Sequence, residues 1–127
     1  MFTNRFTDKT PTMSGTDALD TNYAFNGSPF TAKVIGLKLI PVVSVSTHAS
    51  NYITITAKNG STTLATFTTN SSGGAAMTAG TPITMTLSGT GTDLEIAAGG
   101  LVTFDVTKNG TGPAYEFVGW AGFEAIH

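Results

Sequence analysis

From Asn51 to Thr107 the chain repeatedly alternates apolar side chains with threonine, and this period of two limits its fold more than anything else. Ile53 and Ile55 alternate with Thr54 and Thr56. Ile83, Met85 and Leu87 alternate with Thr84 and Thr86, and Val102, Phe104 and Val106 with Thr103, Asp105 and Thr107. Successive side chains of a strand point to opposite faces, so each run buries one face and wets the other. Threonine, at 24 of 127 positions, is β-branched and suits a pleated, half-buried surface better than a helix. Strong helix formers are scarce and glutamine does not occur. A helical bundle, a coiled coil and an alternating strand–helix fold are therefore excluded.

The punctuation between these runs completes the pattern. Lys58-Asn59-Gly60-Ser61 lies between two strand patterns, and Asn-Gly there is a strong hairpin signal. The same turn recurs at Lys108-Asn109-Gly110-Thr111. Leu64 and Phe67 are out of phase on the return strand, which predicts a bulge. Pro41 interrupts the apolar run Val34 to Ser46 and predicts an edge, a bulge or a corner. Turn signals every 8–12 residues or so give about eight short strands. The expected fold is all-β, an antiparallel β-sandwich resembling a jelly roll. The length suits a single domain.

Residues 1–29 read differently. They hold no sustained period of two and no helical period, and Thr10-Pro11 and Ser28-Pro29 disfavour helix. Yet Phe2, Phe6, Tyr23 and Phe25 are spread through the segment. Such rings predict an extended N-terminal arm over 1–29 that lays aromatics into grooves, on its own domain or on a neighbour. Residues 30–127 then form the sandwich.

Charge narrows the partners. Net charge is −2, and the six basic residues Arg5, Lys9, Lys33, Lys38, Lys58 and Lys108 include no adjacent pair. Neither nucleic acid nor an anionic membrane is an expected partner. With 40% apolar residues and so little net charge the chain is not disordered. It has no cysteine, so disulfides and thiolate chemistry are excluded. The start lacks the apolar stretch of a signal peptide, which points to synthesis in a cytoplasm.

Candidate reacting groups are few. His48 and His127 are the only imidazoles, and no Gly-x-Ser-x-Gly elbow serves any of the nine serines. Asp17, Asp20 and Asn22, or Asp93 with Glu95, could supply oxygens to a cation, but no calcium-loop pattern is present. Asp105 and Glu116 would lie on neighbouring strands across the second Asn-Gly turn, as a pair of hydrolytic acids would need. Solvated strand charges explain them better. No enzyme activity, metal or cofactor is expected. On the last strand Tyr115, Phe117 and Phe123 share one face, while Val118, Trp120 and Ile126 share the other. One stripe is core and the other is a platform or an interface, as in sugar-binding sandwiches.

The stretch Leu94-Glu95-Ile96-Ala97-Ala98-Gly99-Gly100, the strand Leu101 to Lys108 and the turn Asn109-Gly110-Thr111-Gly112 resemble a segment of small tailed-phage virion proteins. In those a short strand leads through Ala-Gly to a Val-Thr-Phe-x-Val-Thr-Lys strand, a Gly-Thr-Gly turn and an aromatic-rich closing strand. They are Thr-, Gly- and Ala-rich, free of cysteine, and look like capsid decoration or cement proteins. The resemblance implies a homotrimer seated on major capsid protein at the capsid surface of a virion assembled in the host cytoplasm. It also implies an arm that grips the shell; it carries over no residue-level motif, and the aromatics of this chain's own segment, Phe2, Phe6, Tyr23 and Phe25, are the expected contacts. The alternative is a carbohydrate- or receptor-binding sandwich of a phage appendage.

Overall fold

A computed structural model describes residues 5–15 and 19–126. Ten strands follow one another: β1 (Arg5–Lys9), β2 (Met13–Gly15), β3 (Leu19–Phe25), β4 (Ala32–Pro41), β5 (Tyr52–Asn59), β6 (Thr62–Thr68), β7 (Ile83–Met85), β8 (Glu95–Ile96), β9 (Leu101–Asn109) and β10 (Tyr115–Ala125). They form two sheets. In the first, β10 and β4 are central, with β1 and β2 sharing one edge and β7 and β8 the other. The second runs β3-β9-β5-β6. All strand pairs are antiparallel.

Counting each shared edge as one interrupted strand leaves eight. The first sheet then reads first, last, third and sixth in chain order, the second reads second, seventh, fourth and fifth. This interleaving is a jelly roll, in which the chain crosses between sheets at nearly every turn. The sandwich expected from alternation is thus observed.

The segment 1–29 needs correction as an arm. Residues 5–15 and 19–25 supply β1, β2 and β3, which are the first and second positions of the roll. Of the described aromatics of this segment, Phe6 packs on its own domain against Phe123, while Tyr23 and Phe25 are exposed. Met13 and Ala24 are buried in the core. None of the three carries a sustained apolar period of two: β1 and β2 are short edge strands with few inward positions, and on β3 the large apolar side chains Tyr23 and Phe25 face outward.

The core consists of the alternating positions. Ile53, Ile55 and Ala57 of β5, Val102, Phe104 and Val106 of β9, and Leu37 and Leu39 of β4 are fully buried. Leu64 bulges out of register: Lys58 pairs with Thr63 while Ala57 pairs with Ala65. Pro41 ends β4 opposite Phe117. The two Asn-Gly turns differ in use. The first closes the β5–β6 hairpin, with Gly60 at φ 60°. The second carries the chain from β9 in one sheet to β10 in the other. Its Thr111 donates to Asn51 Oδ1 through both the backbone N–H and the hydroxyl, at 3.1 and 3.2 Å.

Asn26 pins the corner between β3 and β4. Its buried amide donates to the carbonyls of Phe30, Ile96 and Ala97 at 3.0 to 3.1 Å. Its Oδ1 accepts from the Ser28 N–H and hydroxyl at 3.1 and 2.9 Å. Unpaired buried carbonyls carry a desolvation cost, so Asn26→Ala is expected to lose about 2–3 kcal/mol. The midpoint of a urea melt measures this; an unchanged midpoint would show that water replaces the amide.

Candidate docking surfaces

The reactive residues singled out in the sequence do not converge. The exposed His48 turns its Nδ1 to its own loop, accepting from the backbone N–H groups of Ser50 and Asn51 at 3.0 and 2.9 Å. Asp20 accepts the Tyr115 hydroxyl at 3.2 Å, and Asn22 Oδ1 accepts the Tyr23 N–H at 2.9 Å. Asp93 lies in a 3-10 turn (Gly91–Leu94), accepting from the Thr90 N–H at 3.4 Å, and Glu95 pairs in register with Lys33. Phe2, Asp17 and His127 lie outside the described residues. Among those described, no three His, Asp or Glu side chains gather as a metal site would require.

Asp105 and Glu116 are corrected as neighbours. They stand on β9 and β10, which belong to opposite sheets. Asp105 is instead held within its own sheet, 3.0 Å from Lys58 Nζ and accepting the Thr21 hydroxyl at 2.8 Å. An open depression lined by Thr66, Phe67, Thr68, Gly73, Gly74 and Ala75 has a volume of about 210 Å³. That is below the roughly 300–1,000 Å³ typical of ligand pockets, and its lining has no ionisable side chain.

What the molecule does present is apolar surface. On the second sheet, Tyr23 and Phe25 occupy outward positions of the edge strand β3 and are 46% and 47% exposed. Leu101, 42% exposed, stands directly opposite Phe25 on β9. The Phe25 ring lies beside Gly27, whose missing Cβ would stand 3.5 Å from it. The free edge of β3 is closed to strand addition at this point. The Phe25 N–H is taken by the Asp8 carboxylate at 2.7 Å, and the Tyr23 N–H by Asn22. The patch therefore offers side chains rather than a backbone template.

The outer face of the first sheet is the second such surface. Tyr115, Phe117 and Phe123 point inward and are buried, which decides which stripe of the last strand is core. Val118 and Trp120 point outward with Ile35 and Ile40 of β4. A sugar platform built on Tyr115 is thereby removed.

Of the four expected arm contacts, Phe6 is held on its own chain, its ring stacked on Phe123 at 5.2 Å. Tyr23 and Phe25 face solvent. Leu101 and Ile35 were missed. Leu101 lies one position out of phase with the buried Val102, a signal present in the sequence. Ile35 is exposed because a bulge shifts the register, pairing Gly122 with Gly36 but Phe123 with Val34.

No protein-family model matches the chain, and no curated protein matches it. Among solved structures, it is similar to a chain of the cyanophage Pam1 capsid asymmetric unit. Identity is 17%, the TM-score is 0.57, and the likeness covers 98% of this chain and 86% of that one. At this identity the likeness is one of fold.

Proposed function

We propose that the protein is a non-enzymatic structural component of a phage virion that docks on the capsid shell and reinforces it, as decoration or cement proteins do. The observation that carries this reading is the whole-length likeness to a chain of a cyanophage capsid unit. The molecule's own surfaces support it: a rigid roll with exposed Tyr23, Phe25 and Leu101 at one end of a sheet. Clustered exposed aromatics mark interaction sites, and Tyr is enriched among residues that dominate interface energy. The proposed partner is major capsid protein, and the proposed working form is a closed homotrimer, whose repeated weak contacts add by multivalency.

Tyr23 and Phe25 are proposed to supply the shell contact that the arm was expected to supply. The variant Tyr23→Asp with Phe25→Asp changes two outward side chains and is expected to fold normally. Its occupancy on purified shells is expected to fall at least about tenfold, since two interface anchors together contribute roughly 2 kcal/mol or more. Quantitative gel analysis of sedimented shells mixed with each protein reads this. Occupancy equal to that of the unsubstituted protein would remove the patch from the proposal.

A further inference from the structure

Trp120 stands between two lysines that the sequence keeps far apart. Lys9 of β1 is directly opposite it on one side, and Lys38 of β4 on the other. Directly opposed residues of antiparallel strands project from the same face, so the three side chains form one rung across three strands. Lys38 Nζ is 5.4 Å from the centre of the indole. Among the described residues the ion pairs are Arg5–Glu124 and Lys58–Asp105, so neither lysine of the rung is engaged by a carboxylate.

The indole rests on glycine. A Cβ at Gly122 would lie 3.0 Å from its ring, and one at Gly36 would lie 3.6 Å from it. Neither glycine has a positive φ, so both are there for space rather than for backbone conformation. Beside the ring, Ile35 is 42% exposed. Lys33 and Arg5 flank Glu124 on the same face, with Glu95 opposite Lys33 at its far edge; four of the six basic residues of a chain with net charge −2 lie here, and of these Lys9 and Lys38 are the two with no acidic residue opposite them.

Glu116 and Glu124 bound this window. Each is four residues from Trp120 along β10, about 13 Å at roughly 3.3 Å per residue. We infer that the face docks a short acidic segment of a partner protein. Carboxylates of the segment meet Lys9 and Lys38, and an apolar side chain settles on Trp120 and Ile35. A long polyanion such as nucleic acid would overrun the window onto the two glutamates and would leave Ile35 without an apolar contact. Face-to-face pairing with a second copy would bring the same lysines together. Charge complementarity therefore selects an acidic protein segment. The inference does not depend on the virion reading.

Trp120 is the only tryptophan, so its emission reports on this face alone. The intact protein is titrated at low salt with a short synthetic peptide of glutamate and leucine, and with its lysine–leucine counterpart. The acidic peptide is expected to give a saturable change in Trp120 emission that weakens about tenfold in high salt, as screened charges require. The variant Lys9→Glu with Lys38→Glu keeps its thermal melt and binds at least tenfold more weakly, by emission and by calorimetry. Four results would overturn the inference. They are no response, an equal response to the basic peptide, tighter binding of a single-stranded oligonucleotide, or undiminished binding by the double variant. An emission change that tracks protein concentration without peptide would show self-association and would overturn it as well.

Discussion

Deleting residues 1–29 is expected to abolish cooperative folding. The deletion removes β1 and β2 from the edge of β10 and β3 from the edge of β9. It takes away the buried Met13, Ala24, Thr10 and Asn26, and it strips the stacked Phe6 from Phe123. Two strands at the centre of the roll then become edges with unpaired backbone groups, and the inner faces of Phe117, Phe123 and Phe104 lose cover. A domain of this size is stable by only about 5–15 kcal/mol. The lost apolar burial alone, at about 1.5–3 kcal/mol for each large side chain uncovered, consumes most of that margin. Circular dichroism with a urea melt reads the outcome. The truncated chain is expected to show no cooperative transition. A sharp transition near the full-length midpoint would mean that the first strands are an appendage after all, as a separable arm would be.

Replacing Phe104 by alanine is expected to lose about 3–5 kcal/mol, the usual cost of emptying a buried phenylalanine site. Phe104 is fully buried on β9, in the middle of the second sheet. Its ring reaches across the sandwich to Gly119 on β10, where a Cβ would lie 2.9 to 3.0 Å from three ring atoms. The ring and the missing side chain are thus complementary parts of one inter-sheet contact. Gly119→Ala on its own is expected to cost about 1–3 kcal/mol by overpacking. Combined with Phe104→Leu, the costs should add to less than their sum, because the smaller side chain makes room for the new methyl. Urea melts of the single and double variants complete the cycle. Simple additivity would show that the two positions are not in contact.

The sequence disclosed those strands that bury one full face. Ile53 to Ala57 and Val102 to Val106 alternate cleanly because each sits in mid-sheet with a core on one side and threonines on the other. Edge strands do not impose that pattern. Phe6 is only half-buried on β1, and Tyr23 and Phe25 face outward, so the aromatics of residues 1–29 alternate with nothing and read as a loose segment. The hairpin rule worked at Asn59-Gly60 and misled at Asn109-Gly110, because a jelly roll uses the same tight turn to change sheets. That error is what set Asp105 beside Glu116. The Lys9–Trp120–Lys38 rung was hidden for another reason. Its members are joined only by strand register, and the strand that carries Lys9 holds a single apolar residue, Phe6, too few to mark it as a strand.

If the proposed function is right, this roll works by the surfaces it presents to a phage shell, and a cryo-electron reconstruction of a mature phage particle containing the protein, or of purified shells saturated with it, tests this most directly. The predicted result is density for the eight-position roll on the outside of the capsid, in threefold groups, with Tyr23 and Phe25 against major capsid protein. A complete particle whose shell carries no copy of the roll would contradict it.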